Sequence, residues 1–219
     1  SLAHPHVVAV LDVGEVDSDL SGATSGEWAP GTPWMALELC SGGTLGSSPP
    51  ANYPALRSVL LQILDALAHA HAHGVVHRDL KPGNVLWSTP GDVRPGLKLT
   101  DFGVAALMVS DDTDPTLLAP SAGTPSFMAP EQLLGDVRRI GPWTDLYALG
   151  CVAWTLCVGR APYQRQSAMS TARAHLHGER PAFLSPYPVP PGLEAWLDAL
   201  LQRDPARRPE CAADAMEAL

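Results

Sequence analysis

Residues 77–84 read HRDLKPGN, residues 101–103 read DFG, and residues 123–131 read GTPSFMAPE. The first stretch gathers a histidine, an arginine, an aspartate, a lysine and an asparagine directly after an apolar helical pattern. Asp79 can accept a hydrogen bond from a substrate hydroxyl and take its proton. Lys81 can neutralise charge that develops on a transferred group. Asn84 offers a neutral oxygen and Asp101 a carboxylate, the donors that Mg²⁺ prefers. Gly103 permits the backbone to turn beside that carboxylate. A positioned base, a cation and a metal site are what phosphoryl transfer asks of a protein, since little covalent help is needed. Of the 14 basic residues only Lys81 and Lys98 are lysines, so a lysine inside this stretch is not surface background.

The surrounding pattern gives the stretch a scaffold. Leu56, Val59, Leu60, Ile63, Leu64 and Leu67 recur at helical spacing, with Pro54 near the start and Gly74 as the stop. Ahead of this helix, Val7–Val16 and Trp34–Leu39 read as strands separated by a Gly/Ser/Pro/Asp-rich connection. After it, Val75–Thr100 reads as short hairpins and residues 104–126 as loop. Helices then dominate: one ending near Val158, one over Ser167–His177, and two near Leu193–Arg203 and Ala212–Leu219. The expectation is an α+β chain, mainly helical, with a small β element at its N-terminal edge.

Composition is consistent with that body and narrows the function. With 219 residues and 46% hydrophobic content, the chain can bury a substantial core. A net charge of −9 argues against nucleic-acid binding and against a basic membrane-surface patch. Cys40, Cys151, Cys157 and Cys211 lack metal or disulfide spacing, which suits a reducing, cytoplasmic setting. The apolar run Leu146–Val158 is too short to span a bilayer and reads as a buried helix, so any membrane anchor is expected outside these residues. His69 and His73 stand one turn apart but have no HExxH or cysteine partner, so a metal role for them is disfavoured.

The three motifs in order resemble the eukaryotic-type protein kinase family, whose signature runs H-R-D-L-x-x-x-N, D-F-G, A-P-E. HPHVVAVLDVGE resembles the segment leading into the family's fourth strand, and WMALELCSGGTL its fifth strand and hinge. The resemblance covers essentially the whole chain and implies a protein-kinase-like fold. Residues 1–39 would be a remnant of the small lobe, with strands 4 and 5, and residues 40–219 the large lobe. It further implies Asp79 as base, Lys81 on the transferred phosphate, and Asn84 and Asp101 on Mg²⁺. Leu37 would be the gatekeeper, the main chain of Glu38 and Cys40 would face the adenine of ATP, and Leu86 would pack beneath it. Asp145 would tie down the catalytic loop, Arg208 would pair with Glu131, and His77 would pack beside Phe102. KPGN, with Thr124 in GTP, resembles serine/threonine rather than tyrosine kinases and implies protein substrates bearing Ser or Thr. Its wording is similar to the bacterial branch.

Some family parts are not found in these residues. No G-x-G-x-x-G precedes HRD, and no lysine precedes Lys81. A truncated kinase domain, weakly active or inactive by itself, is therefore expected. Its rival is a catalytically silent kinase-like lobe kept for protein interaction. A small-molecule phosphotransferase shares an Asp…Asn loop but would not carry KPGN followed by GTPSFMAPE. Arg78 is expected either to receive a phosphate from Thr113, Thr116 or Ser121, with the acidic run Asp111–Asp114 as a mimic, or to pair near Asp101.

Overall fold

The computed structural model of the chain describes residues 2–17, 28–102 and 125–219. Strand β1 (Val10–Glu15) pairs antiparallel with β2 (Pro33–Leu37), Val13 opposite Met35. Both strands are shorter than their apolar runs, because the ends of those runs are used elsewhere. Val7 bridges Leu99 in parallel and the Val8 N–H donates to the Leu99 carbonyl at 2.8 Å. Glu38 and Leu39 leave the sheet to begin the connection toward the helical body.

Helix α1 (Tyr53–Ala72) forms where its period demanded. Asn52 caps it by accepting from the Ala55 N–H at 3.0 Å, and Pro54 sits in the first turn, where no donor is lost. Gly74 stops it in the left-handed region at φ +72, a conformation that costs glycine little. The whole apolar stripe, Leu56 to Leu67, is buried. Strands β3 (Val85–Ser88) and β4 (Gly96–Leu99) form one hairpin, with Val85 opposite Leu99. The connection after β2 lies along its free side: Gly42 donates to Trp87 O, Trp87 to Gly43 O, and Leu45 to Val85 O, at 2.7–2.9 Å. Gly42 is needed there, because a Cβ would stand 2.7 Å from the Trp87 carbonyl oxygen.

Among the described residues that follow, the α-helices are α2 (Pro130–Leu133), α3 (Pro142–Val158), α4 (Ala168–His177), α5 (Gly192–Leu200) and α6 (Ala212–Glu217). α3 is apolar nearly all round and is accordingly buried nearly all round, the expected fate of such a helix in a large body. Cys151 and Cys157 lie within it as free buried thiols, and burial pushes both thiol pKa values up. No helix among the described residues is long and apolar enough to cross a membrane. Among the described residues the architecture is α+β, two two-stranded sheets with a mainly helical body.

Candidate active site

The HRD stretch is held from below by α3. Asp145, buried in the first turn of that helix, accepts from the His77 N–H at 2.8 Å and the Arg78 N–H at 2.9 Å. His71 Nε2 lies 2.8 Å from the same carboxylate. Gln132 of α2 donates to the Arg78 carbonyl at 2.7 Å. Arg78 is thereby fixed from both sides at φ +66, a region a non-glycine residue enters only when its surroundings impose it. The His77 ring tilts against Phe102 with centroids 4.6 Å apart, as the sequence led us to expect, and so joins the HRD stretch to DFG.

Beyond this turn three side chains converge. Asp79 Oδ2 accepts from Lys81 Nζ at 2.7 Å and from Asn84 Nδ2 at 3.0 Å, and Asn84 Nδ2 also donates to the Asp79 carbonyl at 2.8 Å. With its nitrogen spent on Asp79, the Asn84 amide turns its oxygen the other way. Asp101 is brought to the same place by strand register. Asn84 precedes β3 and Thr100 follows β4, so pairing Val85 with Leu99 sets them side by side, and the Thr100 N–H donates to the Asn84 carbonyl at 3.0 Å. Asp101 itself is exposed and stands at φ +62. Arg78 and Asp101 are the two non-glycine residues at positive φ among the described residues, and both lie in this site.

The other expected residues lie on β2, on the connection after it and on β3. Leu86 is half-buried on β3, bridged to Thr44. Leu37 ends β2 and is partly exposed. Glu38 is buried, with its N–H donating to the Ala9 carbonyl at 3.0 Å. Cys40 is half-buried two residues on, and burial raises its thiol pKa.

Farther from the chemistry, Arg208 and Glu131 form the expected pair, bidentate at 2.7 and 2.9 Å and fully buried. The remaining guanidinium donors reach the carbonyls of Gln202, Arg203 and Trp143. Thr144 donates to Glu131 at 2.8 Å.

Other expectations meet different outcomes. Among the described residues the exposed Arg78 guanidinium has no ion pair, so a pairing near Asp101 does not form there. Gly103, Thr113, Thr116, Ser121, Thr124 and the Asp111–Asp114 run lie outside the described residues. His69 and His73 join His4 in a ring column, with centroids 4.9 and 4.4 Å apart. No group of three His, Cys, Asp or Glu side chains among the described residues is arranged for a metal. Sequence reasoning missed His71, Gln132 and Thr144 as supports, because no local pattern marks a contact made 50 or more positions away in the first two cases. It also missed Asp92 and Arg94, which stand in a stretch, STPGDVRPG, that reads only as a turn.

A concavity of about 680 Å³ elsewhere on the body is lined by Tyr163, Arg180, Arg203 and Arg207 among others. Two of its arginines are already engaged, Arg203 with the His175 carbonyl and Arg180 with Asp198. It includes none of the candidate catalytic residues.

Comparison with known proteins accords with this geometry. The protein kinase domain model matches residues 1–218. Serine/threonine-protein kinase PrkC of Bacillus subtilis is 34% identical over 223 aligned residues, covering 100% of this chain and 31% of its own length. Serine/threonine-protein kinase pkn3 of Myxococcus xanthus is 32% identical, covering 96% of this chain and 38% of its own. Serine/threonine-protein kinase PknB of Mycobacterium leprae is 31% identical, covering 96% and 31%. The chain thus spans about a third of the length of these curated relatives. From the motifs, the residues they bring together and a match along its whole length, the chain belongs to the protein kinase domain family.

Proposed function

We propose that this domain transfers the γ-phosphoryl group of ATP to serine and threonine hydroxyls of proteins. The observation that carries the reading is the Asp79–Lys81–Asn84 cluster, hydrogen-bonded within itself and joined to the strand that delivers Asp101. Residues 1–39 belong on this reading to the small lobe and residues 40–219 to the large lobe. The choice of Ser/Thr rests on Lys81 in KPGN and on the similarity to serine/threonine-protein kinases.

Asp79 is the base: it orients the attacking hydroxyl and takes its proton. Lys81, 2.7 Å from that carboxylate, carries a positive charge to where the transferred group gathers negative charge. Asn84 holds Asp79 in place through Nδ2 and, with Asp101, presents hard oxygen donors at one end of the β3–β4 hairpin. That donor set fits Mg²⁺, which takes one or two protein oxygens and fills its other positions with water and phosphate oxygens. When bound, Mg²⁺ supplies charge neutralisation on the phosphates. The main chain of Glu38 and Cys40 would meet the adenine edge, with Leu86 packing beneath the base.

The test is Asp79→Asn, which keeps size and shape but removes the base. Phosphoryl transfer to a Ser/Thr substrate protein is expected to fall about 100- to 10,000-fold while Mg-ATP affinity changes little. Transfer retained by this variant would sink the assignment. A silent lobe kept for protein interaction is not favoured: Asp79, Lys81 and Asn84 are all retained and hydrogen-bonded together, and Asp101 is retained at the end of the strand paired beside Asn84.

A further inference from the structure

The connection from Glu38 to Gly43 is gripped at both ends by one loop, residues 89–95, between β3 and β4. At the far end, Asp92 Oδ2 accepts from the Ser41 N–H at 3.0 Å and the Ser41 hydroxyl at 3.0 Å. The same oxygen accepts from the Thr89 N–H at 2.6 Å and the Ser88 hydroxyl at 3.2 Å. These donors, the Ser41 and Thr89 N–H groups first, hold the half-buried Asp92 carboxyl at a pKa of about 2. At the near end, Arg94 Nε donates to Glu38 Oε2 at 2.8 Å and its Nη2 reaches Glu38 Oε1. The Arg94 guanidinium also ties in the Val7 carbonyl at 3.0 Å, and the Ala9 N–H donates to Glu38 Oε1 at 2.9 Å. Lys98, buried behind, stands 3.8 Å from the same oxygen.

Between the two grips lie only Leu39, largely exposed, and Cys40. A base recognised by backbone groups of residues 38–40 is bound only as well as that backbone is held, because a peptide unit that wanders must be ordered at the moment of binding. The geometry points to Asp92 and Arg94 as positioning residues that hold the Glu38–Cys40 main chain for the nucleotide base. They act through Ser41 and Glu38 and touch no reacting atom. The inference rests on the kinase reading given above and adds to it two residues from a loop that carries none of the family motifs.

Calorimetric titration of the purified protein with ATP and, separately, with adenosine tests this, together with steady-state kinetics. Asp92→Ala and Arg94→Ala are each expected to weaken both ligands about tenfold, by the same factor. The KM for ATP should rise in parallel, with kcat and the KM for the protein substrate altered less than about twofold. Asp92→Asn keeps an acceptor oxygen for the Ser41 N–H and should recover most of the affinity. Equal loss on ATP and adenosine assigns the defect to the base and not to the phosphates, and the nearly unchanged kcat separates it from a general loss of structure. Unchanged adenosine affinity in both alanine variants overturns the positioning role and leaves the kinase reading standing. A fall in kcat matched by a fall in melting temperature, with no recovery in Asp92→Asn, overturns it as well. If Asp79→Asn leaves phosphoryl transfer unchanged, the kinase reading fails and this inference fails with it.

Discussion

The β1–β2 hairpin and the body around α3 both carry apolar sequence, and they treat it in opposite ways. In the hairpin Val13 remains 61% exposed and Met35 52% exposed. On α3, Leu146, Leu149 and Val152 are fully buried. The hairpin is two strands and cannot by itself enclose an apolar face, whereas α3 has α1, α5 and α6 around it. The candidate catalytic loop is attached to the second region, through Asp145, while Glu38 extends from the first. Site geometry should therefore fail when the body is disturbed and tolerate much change in the hairpin.

The largest effect should come from breaking the buried pair. Arg208→Ala leaves the Glu131 carboxyl enclosed, with a single Thr144 hydrogen bond in place of a bidentate guanidinium. Stranding one member of such a pair costs about 3–5 kcal/mol. Equilibrium denaturation in urea would register this as a large drop in midpoint, and a loss under 1 kcal/mol would mean that the body does not depend on this contact.

Asp145→Ala should come next. It strands the buried His77 N–H and leaves the Arg78 N–H without its partner, at about 2–3 kcal/mol in all. It also removes one of the two contacts that hold Arg78 at φ +66, so phosphoryl transfer should fall by more than the stability loss alone explains. Equal transfer rates in variant and parent, measured well below the unfolding temperature, would show that this anchor does not position Asp79.

How far these supports could be read in advance depends on their range. The stripe from Leu56 to Leu67 announced α1 because helix periodicity is local. HRDLKPGN and DFG announced the candidate chemistry because the residue types and their order are specific. Glu131 with Arg208, and Asp145 under the HRD stretch, came only through family resemblance, since nothing in the neighbourhood of Arg208 indicates a partner 77 positions away. His71 shows the limit best. It stands in a run of alternating histidines with nothing local to mark a partner, yet it points inward at Asp145. Strand ends were misjudged for a related reason: Val7 and Val8 have the composition for β1 but are claimed by Leu99, a long-range competitor no local pattern contains.

A third test uses pH to probe the body alone. His175 on α4 is fully buried, its Nδ1 2.8 Å from the Tyr147 hydroxyl, and burial lowers its pKa from 6.5 to about 4. The folded state thus resists protonation that the unfolded chain accepts. The stabilisation is fully present above pH 6.5 and is lost as pH falls from there toward 4. Between pH 7 and pH 5 this amounts to about 2 kcal/mol. His4, lowered by burial at the N-terminal segment, adds an effect of the same sign. Denaturation midpoints for the parent and His175→Gln should converge as pH is lowered; parallel curves would remove His175 from the account.

The smallest effect isolates the comparison itself, because one chemical change can be made in both regions. Val→Thr keeps the branched shape and adds a hydroxyl. At Val13 the hydroxyl meets water, and threonine suits a strand as well as valine does, so stability should change by no more than about 0.5 kcal/mol. At Val152 the same group is enclosed within α3, where its best recourse is the carbonyl one turn back, and about 1–2 kcal/mol should be lost. The difference between the two variants cancels the intrinsic chemistry and leaves burial. Equal losses at the two positions would mean that Val13 is covered in solution, and the hairpin would then have to be counted with the body.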